Sequence, residues 1–451
     1  MMEFLIVLSR YLFIGGIGLF LWSGIVYIAY EQGGFLGSPV TAVSLQKGIV
    51  IGMHLLAFLI LTARTGFAAA GFGLAGLIFL LIAWWMLDHI YYDGCPLLIN
   101  GMLFLMDVGL IFLWRLEPPL AQRQLIWMTL GLTCICLLPY IMKIIPHTEK
   151  LEWLYVVLIY GLLLATHFFG EEKGGSVNWL TLKFGTYSFT FQPSEIEKFL
   201  FIFYLASVFR KRVGWREFLQ TAILSAGIIL LLVLQKDLGS ALIFFMTYMV
   251  LLYVSTSSEL LFFLGMGTAS AAAVLAYRLF SHVQVRVAAW KNPWADIDTG
   301  GYQIVNSLFA ITTWGFFGSG LTKGMPETIP VVESDCIFAA ICEEFGSFFG
   351  LGLIGIFLMI LYRGVRVALD SARKYHSLIA MGVTVLLTFQ AFLIIGGVIK
   401  LIPLTGVTLP LVSYGGSSIL SSMIMFGILQ WICVLCEEDA REKEERDRIY
   451  E

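Results

Sequence analysis

Charge is scarce in this sequence. Of its 451 residues only 13% are Asp, Glu, Lys or Arg, about half the roughly 25% found in soluble domains. Hydrophobic residues make up 59%, and mean hydropathy is +0.87. A soluble core cannot enclose that much apolar surface; a bilayer can. Clustered positive charge is missing too. A net charge of -3 argues against a nucleic-acid partner, which needs a basic stripe for its phosphates. No small-residue cleavage site follows the first apolar run, Phe4 to Tyr30. That run is also too long for the core of a signal peptide, so it reads as a membrane helix. There is no internal repeat and no Gly/Ser linker. The seven cysteines, at 95, 134, 136, 336, 342, 433 and 436, lie in or beside apolar runs. They lack the polar company of a zinc site or redox pair and read as small apolar residues.

What is present is a series of long apolar runs. A helix needs about 20 apolar residues to cross the hydrocarbon. Thirteen stretches approach or exceed that length: 4–30, 46–64, 67–88, 97–115, 122–145, 151–169, 195–209, 216–235, 238–256, 259–280, 336–362, 377–401 and 413–435. Lys and Arg in short loops mark the cytoplasmic side. The run Arg210-Lys211-Arg212 continuing to Arg216 is strongly basic, as is Arg363 to Lys374. Four spans separate the two, so both fit inside. The same count places 171–194, 281–335 and 402–412 outside. The middle stretch is long for a loop and rich in Trp, Phe and Ile, which reads as amphipathic segments on or in the outer leaflet.

The expected fold is an all-α, polytopic membrane protein with three parts. Residues 1–95 are a helical transmembrane extension, 96–436 one membrane domain, and 437–451 a charged cytoplasmic tail. Three spanning helices in the extension put the N-terminus outside; two would put it inside.

Polar residues gather near the outer face in four groups. The first is Asn178-Trp179, then Gln192, Pro193, Ser194, Glu195 and Lys198. Pro193 suits the first turn of a helix, and Glu195 and Lys198 lie one turn apart and can pair. The group reads equally as a helix cap with a surface ion pair or as a functional cluster, since ionisable groups just inside a membrane are expensive. The second is Lys236-Asp237, an interface anchor or part of a shared cleft. The third is the long loop, with Arg278, Arg286, Lys291 and Lys323 as cations and Glu333-Ser334-Asp335 at its end. Arg suits bidentate phosphate contact and Lys point-charge contact. On pattern alone Asp335 reads first as an ordinary N-cap, ahead of a general base facing cations. Glu343-Glu344 follow in an otherwise apolar helix. The fourth is Lys400, Pro403 to Gly406, Pro410 and Ser413 to Ser418, a broken backbone at membrane depth that must be buried or line a cavity.

In these blocks the sequence resembles the SEDS family, which includes RodA, FtsW and SpoVE. The resemblance runs from about 97 to 435, through Gln-Pro-Ser-Glu, Lys-Asp-Leu-Gly, Gly301-Tyr302-Gln303, Ser334-Asp335-Cys336-Ile337-Phe338 with Glu343-Glu344-Phe345-Gly346, and Ile402 to Ser418. It departs in carrying Asn178 before the Trp, Ser-Asp-Cys at the acidic block, and Thr313-Trp314-Gly315 after Ala-Ile.

The resemblance implies a ten-helix core, preceded here by about three helices, with the long extracytoplasmic loop before the eighth core helix. It implies a peptidoglycan glycosyltransferase in the bacterial inner membrane that polymerises lipid II, releases undecaprenyl pyrophosphate and works with a class B penicillin-binding protein. Elongation, division and sporulation roles are all compatible. Asp335 is then the catalytic carboxylate. Arg286 first, then Lys198 and Lys400, are the expected grips on the diphosphate, with a divalent cation (Mg or Mn) as another source of positive charge. Trp179, Gln192, Glu195, Asp237, Glu343, Glu344, Ser413 and Ser417 complete the expected substrate site. No metal ligand is assigned and no organic cofactor is expected; membrane lipids are the remaining partner. Two other readings are a lipid II flippase and a non-catalytic scaffold for the penicillin-binding protein. A flippase should carry ionisable residues along the bilayer midplane, whereas these gather at the outer end.

Overall fold

The computed structural model describes residues 2–33, 38–145, 147–173, 176–184, 187–211, 213–297 and 300–450. Among them are sixteen α-helices and one small sheet. The N-terminal extension forms α1 (Met2–Glu31), α2 (Pro39–Thr65) and α3 (Phe67–Ile90). The core begins with α4 (Pro96–Leu116), α5 (Pro118–Ile144), α6 (Glu152–Phe169), α7 (Pro193–Phe209), α8 (Trp215–Leu234), α9 (Leu238–Thr256) and α10 (Glu259–Leu279). Four of these first seven helices of extension and core start with proline in their opening turn: α2, α4, α5 and α7. There the missing N–H costs nothing and the fixed φ is already helical.

The long loop then carries α11 (Ser281–Lys291), α12 (Tyr302–Thr313) and α13 (Ile337–Phe345). The chain closes with α14 (Ser347–Asp370), α15 (Lys374–Val398) and α16 (Gly416–Tyr450). Twelve helices are long and apolar enough to cross a membrane, so this is a multi-pass membrane protein. The thirteenth expected span, α7, has 17 residues and reaches about 25 Å. Counting α7, α4–α10 and α14–α16 give the ten core helices, with α14 eighth.

Ion pairs sort the loops into two ends. At one end Glu3 pairs with Arg64 and Lys323, and Arg115 with Glu327. At the other, Glu31 pairs with Arg363 and Asp93 with Arg441. The basic segments flanking α7–α8 and α14–α15 share this second end; Arg212 lies outside the described residues. All three helices of the extension run end to end, so the N-terminal end of α1 lies with the long loop, as three spans require. The charged tail is mostly exposed, and it is helical because α16 continues through it to Tyr450.

The sequence reading differs from the structure in two places. The stretch 171–194 is not plain loop but an antiparallel sheet, β1 (Glu171–Lys173), β2 (Ser176–Phe184) and β3 (Tyr187–Phe191), in the order β1-β2-β3. Its register pairs Leu180 with Phe191 and Thr181 with Thr190. The apolar run 336–362 is not one span but two helices, α13 and α14. Gly346 divides them at φ +90°, a left-handed conformation that a side chain resists. A Cβ there would also lie 2.3 Å from the Phe316 carbonyl oxygen. Apolarity alone cannot show such a break.

α4 sits at the centre, every residue from Leu97 to Trp114 buried. α10 is its opposite: it packs against α9 and α11 and has no buried residue.

Gly346→Ala is expected to lower the thermal midpoint of the purified protein. With ψ at 159° this positive-φ conformation is essentially confined to glycine and costs about 1–3 kcal/mol with a side chain, and the Phe316 carbonyl adds a clash. An unchanged midpoint in a thermal-unfolding assay would contradict this.

Candidate catalytic site at the outer end

Asp335 is not a helix cap. The N-cap of α13 is Cys336, with no side-chain capping bond. The Asp335 Oδ1 instead accepts a hydrogen bond from Ser334 Oγ at 2.8 Å. Its Oδ2 faces Gly406, where an added Cβ would lie 3.5 Å away. The segment is fastened to the α15–α16 loop: Ser413 Oγ donates to the Ser334 carbonyl at 2.5 Å, and Tyr414 N–H donates to the Glu333 carbonyl at 2.8 Å. Ser413 Oγ in turn accepts from Leu409 N–H at 2.9 Å. Thus Ser413, expected as a substrate ligand, is buried and engaged with the protein. Ser417 is half-buried on the first turn of α16.

Arg286 reaches the same place from α11. Its Nη1 donates to the Thr405 carbonyl at 2.8 Å, one residue from Gly406. The guanidinium interacts electrostatically with both Asp335 and Asp237. Burial drives the Asp335 carboxyl above the usual carboxylate range, while Ser334 and the Arg286 charge pull it back. Burial lowers Arg286, with Asp237 and Asp335 opposing. Nearby, His282 is lowered by burial and by the charges of Arg286 and Lys236.

Asp237 is held rigidly. It accepts from Ser240 N–H (3.0 Å), Ser240 Oγ (2.9 Å), Asn178 Nδ2 (3.0 Å) and Gln192 Nε2 (3.3 Å). Asp237 therefore belongs to the inward-facing cluster, whereas Lys236 turns outward to Glu172 at 3.4 Å. Trp179 lies on β2 opposite Glu171. Lys400, at φ +62°, offers its carbonyl to Trp290 Nε1 at 3.1 Å.

Lys198 is not an open grip for a diphosphate. It is 1% exposed and donates to Glu195 Oε1 at 2.8 Å and Gln390 Oε1 at 2.9 Å. The pair with Glu195 exists, but inside the bundle and not on the surface, because both neighbours on α7 face packed helices. Glu343 and Glu344 also leave the Asp335 cluster. Glu344 accepts from Arg115 Nε at 3.1 Å and Thr322 N–H at 3.1 Å, and Glu343 accepts from Met325 N–H at 2.8 Å. Burial pushes Glu344 up to about 7 against the pull of Arg115. These two glutamates tie α13 to the Gly-rich turn. Lys323, expected as a cation for phosphate, pairs with Glu3.

Sequence reasoning missed Gly406 and the Thr405 carbonyl as partners of Asp335 and Arg286. It also missed His54 and Asp107, which face each other at 2.5 Å inside the α2–α4 seam. The only signal for them was a His and an Asp, each isolated in an apolar run.

Fold and site together define a polytopic membrane protein whose Asp335 carboxylate and Arg286 guanidinium lie together at the end opposite its basic loops. The model of the cell cycle protein family FtsW/RodA/SpoVE matches residues 97–436, and the chain belongs to that family. The peptidoglycan glycosyltransferase RodA of Mycobacterium tuberculosis (strain ATCC 25618 / H37Rv) is 31% identical over 369 residues, covering 74% of this chain and 76% of the relative. Stage V sporulation protein E of Bacillus subtilis (strain 168) is 30% identical over 356 residues, covering 74% and 95%. Among solved structures, a chain of a peptidoglycan synthase complex that coordinates polymerization and crosslinking aligns with a TM-score of 0.63. It is 23% identical and covers 75% of this chain and 97% of its own. The rod shape determining protein RodA of Thermus thermophilus aligns with a TM-score of 0.53 at 24% identity, covering 75% and 96%. These structural likenesses concern the fold.

Arg286→Gln is expected to move the acid limb of the rate–pH profile to higher pH. The Arg286 charge favours ionised Asp335, so its loss raises the carboxyl further, and a base works only when ionised. An acid limb that stays in place would show that the two groups are not coupled.

Proposed function

We propose that this protein is a peptidoglycan glycosyltransferase that polymerises lipid II at the outer face of the bacterial inner membrane. The observation that carries the proposal is the freedom of Asp335 from helix capping, with its carboxylate set against Gly406 and the Arg286 charge. The Mycobacterium tuberculosis relative, which covers 74% of the chain, bears peptidoglycan glycosyltransferase in its name.

In this reading Asp335 takes the proton from the acceptor sugar hydroxyl as that oxygen attacks the donor's anomeric carbon. The bond to undecaprenyl pyrophosphate breaks, and the diphosphate leaves with the bonding electrons. Arg286 stabilises that developing charge. One arm of its guanidinium holds the Thr405 carbonyl, which fixes the planar fork, and the remaining donors suit a phosphate. Lys400 is the second cation. Asp237, with its four donors, holds the sheet, the start of α7 and the start of α9 together and keeps Arg286 in place by charge. The outward-facing α10 carries α11, so Arg286 stands where the bundle borders lipid.

A divalent ion is the other source of positive charge. Among the described residues no group of three or more His, Cys, Asp or Glu forms a metal cage. A Mg or Mn ion would have to arrive on the diphosphate with a single protein carboxylate, and the steps above do not run through it. A class B penicillin-binding protein is the proposed partner, since a structural neighbour comes from a complex joining polymerization with crosslinking.

With purified protein, lipid II and the partner, Asp335→Asn is expected to reduce glycan synthesis about 10²–10⁴-fold, the usual contribution of a general base. Partner binding should be unaffected. Wild-type polymer from a folded Asp335→Asn variant would remove the assigned role. Loss of polymer with binding intact would exclude the pure scaffold.

A further inference from the structure

Helix α1 lies outside the part of the chain matched by the family, yet one of its faces runs along the segment that presents Asp335. Residues 3, 6, 10 and 13 recur at helical spacing. Glu3 pairs with Lys323. Ile6 packs so closely on Gly320 that a Cβ there would lie 2.7 Å from it. Arg10 Nη1 donates to the Gly318 carbonyl at 2.8 Å. Phe13 stacks on Phe345 with centroids 4.2 Å apart and planes 16° from parallel.

What α1 grips is the C-terminal end of α13 and the turn that clasps it. Ser319 N–H donates to the Glu343 carbonyl at 2.8 Å and Gly320 N–H to the Glu344 carbonyl at 2.9 Å. These bonds satisfy carbonyls that a helix end leaves open. α13 has nine residues, a stiff rod of about 13 Å, and Asp335 sits two residues before its first turn. A shift at Phe345 or Gly318 is therefore carried along the rod to the carboxylate. The rest of the extension is anchored so that α1 cannot drift. Asn100 of α4 accepts from Trp84 Nε1 at 2.9 Å and donates to Gln46 Oε1 at 2.9 Å.

We infer that α1 is a brace for the catalytic segment, with Arg10 and Phe13 as positioning residues for Asp335. The inference rests on Asp335 being the base. The opposite face of α1 meets different surroundings, since Leu19 is 52% exposed and faces the lipid side. A simple membrane anchor would need that face only.

The experiment uses the full-length protein with its partner and two readouts. One is the steady-state kinetics of lipid II polymerisation. The other is alkylation by N-ethylmaleimide at Cys342 of α13 and at Cys433 of α16, both buried, resolved by peptide mass spectrometry. Arg10→Ala and Phe13→Ala should each lower kcat about 10- to 100-fold, as small misplacements of a catalytic group do, with KM nearly unchanged. Cys342 should react several-fold faster while Cys433 keeps its wild-type rate. Arg10→Lys, which keeps a donor for Gly318, should recover most of both, and Leu19→Ala should change neither.

Unchanged kcat with a reactive Cys342 would overturn the brace, as would equal exposure of both cysteines, which reports general loosening. A fall in kcat with Cys342 still protected would also overturn it, since α1 would then act by another route. Retained polymerisation by Asp335→Asn would remove the base on which the brace depends. That failure is separable, because the Asp335→Asn variant leaves α1 and its grip on Phe345 intact.

Discussion

The reversal at Gly346 sets the geometry of the whole outer face. Continued as one helix, Ile337 to Asp370 would extend about 50 Å, far more than the roughly 30 Å of a hydrocarbon core. Because Gly346 stands at φ +90° against the Phe316 carbonyl, the chain folds there. α13 is left as a short helix at the outer end, and α14 alone crosses. The break also decides where the backbone bonds of the Gly-rich turn go. Its amides at 319 and 320 close the end of α13, and Gly318 and Gly320 take up the positive φ values that such a turn requires.

Charge is handled under a comparable constraint. In a low-dielectric bundle an unpaired ion is costly, so most buried charges are matched or bonded. Arg115 meets Glu344, Lys198 meets Glu195, and Asp237 is surrounded by four donors. Asp335 is the contrast: its partners are one hydroxyl and the field of Arg286. A carboxylate held with so few bonds in a part-buried place keeps basicity that its saturated neighbours lack. Glu197 of α7 is less bonded still, fully buried with no hydrogen bond to either oxygen among the described residues. What sets Asp335 apart is therefore its part-exposed place beside Arg286 and not its bonding alone.

The spans were legible because long apolar runs in a charge-poor chain have one stable outcome in a bilayer. The ends of α6, α8, α9 and α10 fall within a residue or two of the apolar boundaries. Asp335 was singled out by the family resemblance and Arg286 as a cation in the long loop, since on pattern alone Asp335 reads as a helix N-cap. The sheet at 171–191 was not legible, since β1 has only three residues and the sheet docks on the α8–α9 turn, where Val177 N–H meets the Gln235 carbonyl at 3.1 Å. Lys198, Glu343 and Glu344 were misplaced for a related reason. Their types suit a diphosphate site, but the partners that absorb them, Gln390, Arg115 and Met325, are distant in sequence.

The amino-acid order by itself determined that this chain lives in a membrane and crosses it many times, which end carries the polar blocks and which family it resembles. Those properties depend on local composition and on the spacing of residues near one another. Only the tertiary structure decided which charges are absorbed by packing and which remain for substrate. It also joined α1 to the loop some three hundred residues away. Partner choice in a buried, low-dielectric interior is set by which helix faces meet, and no single segment carries that information.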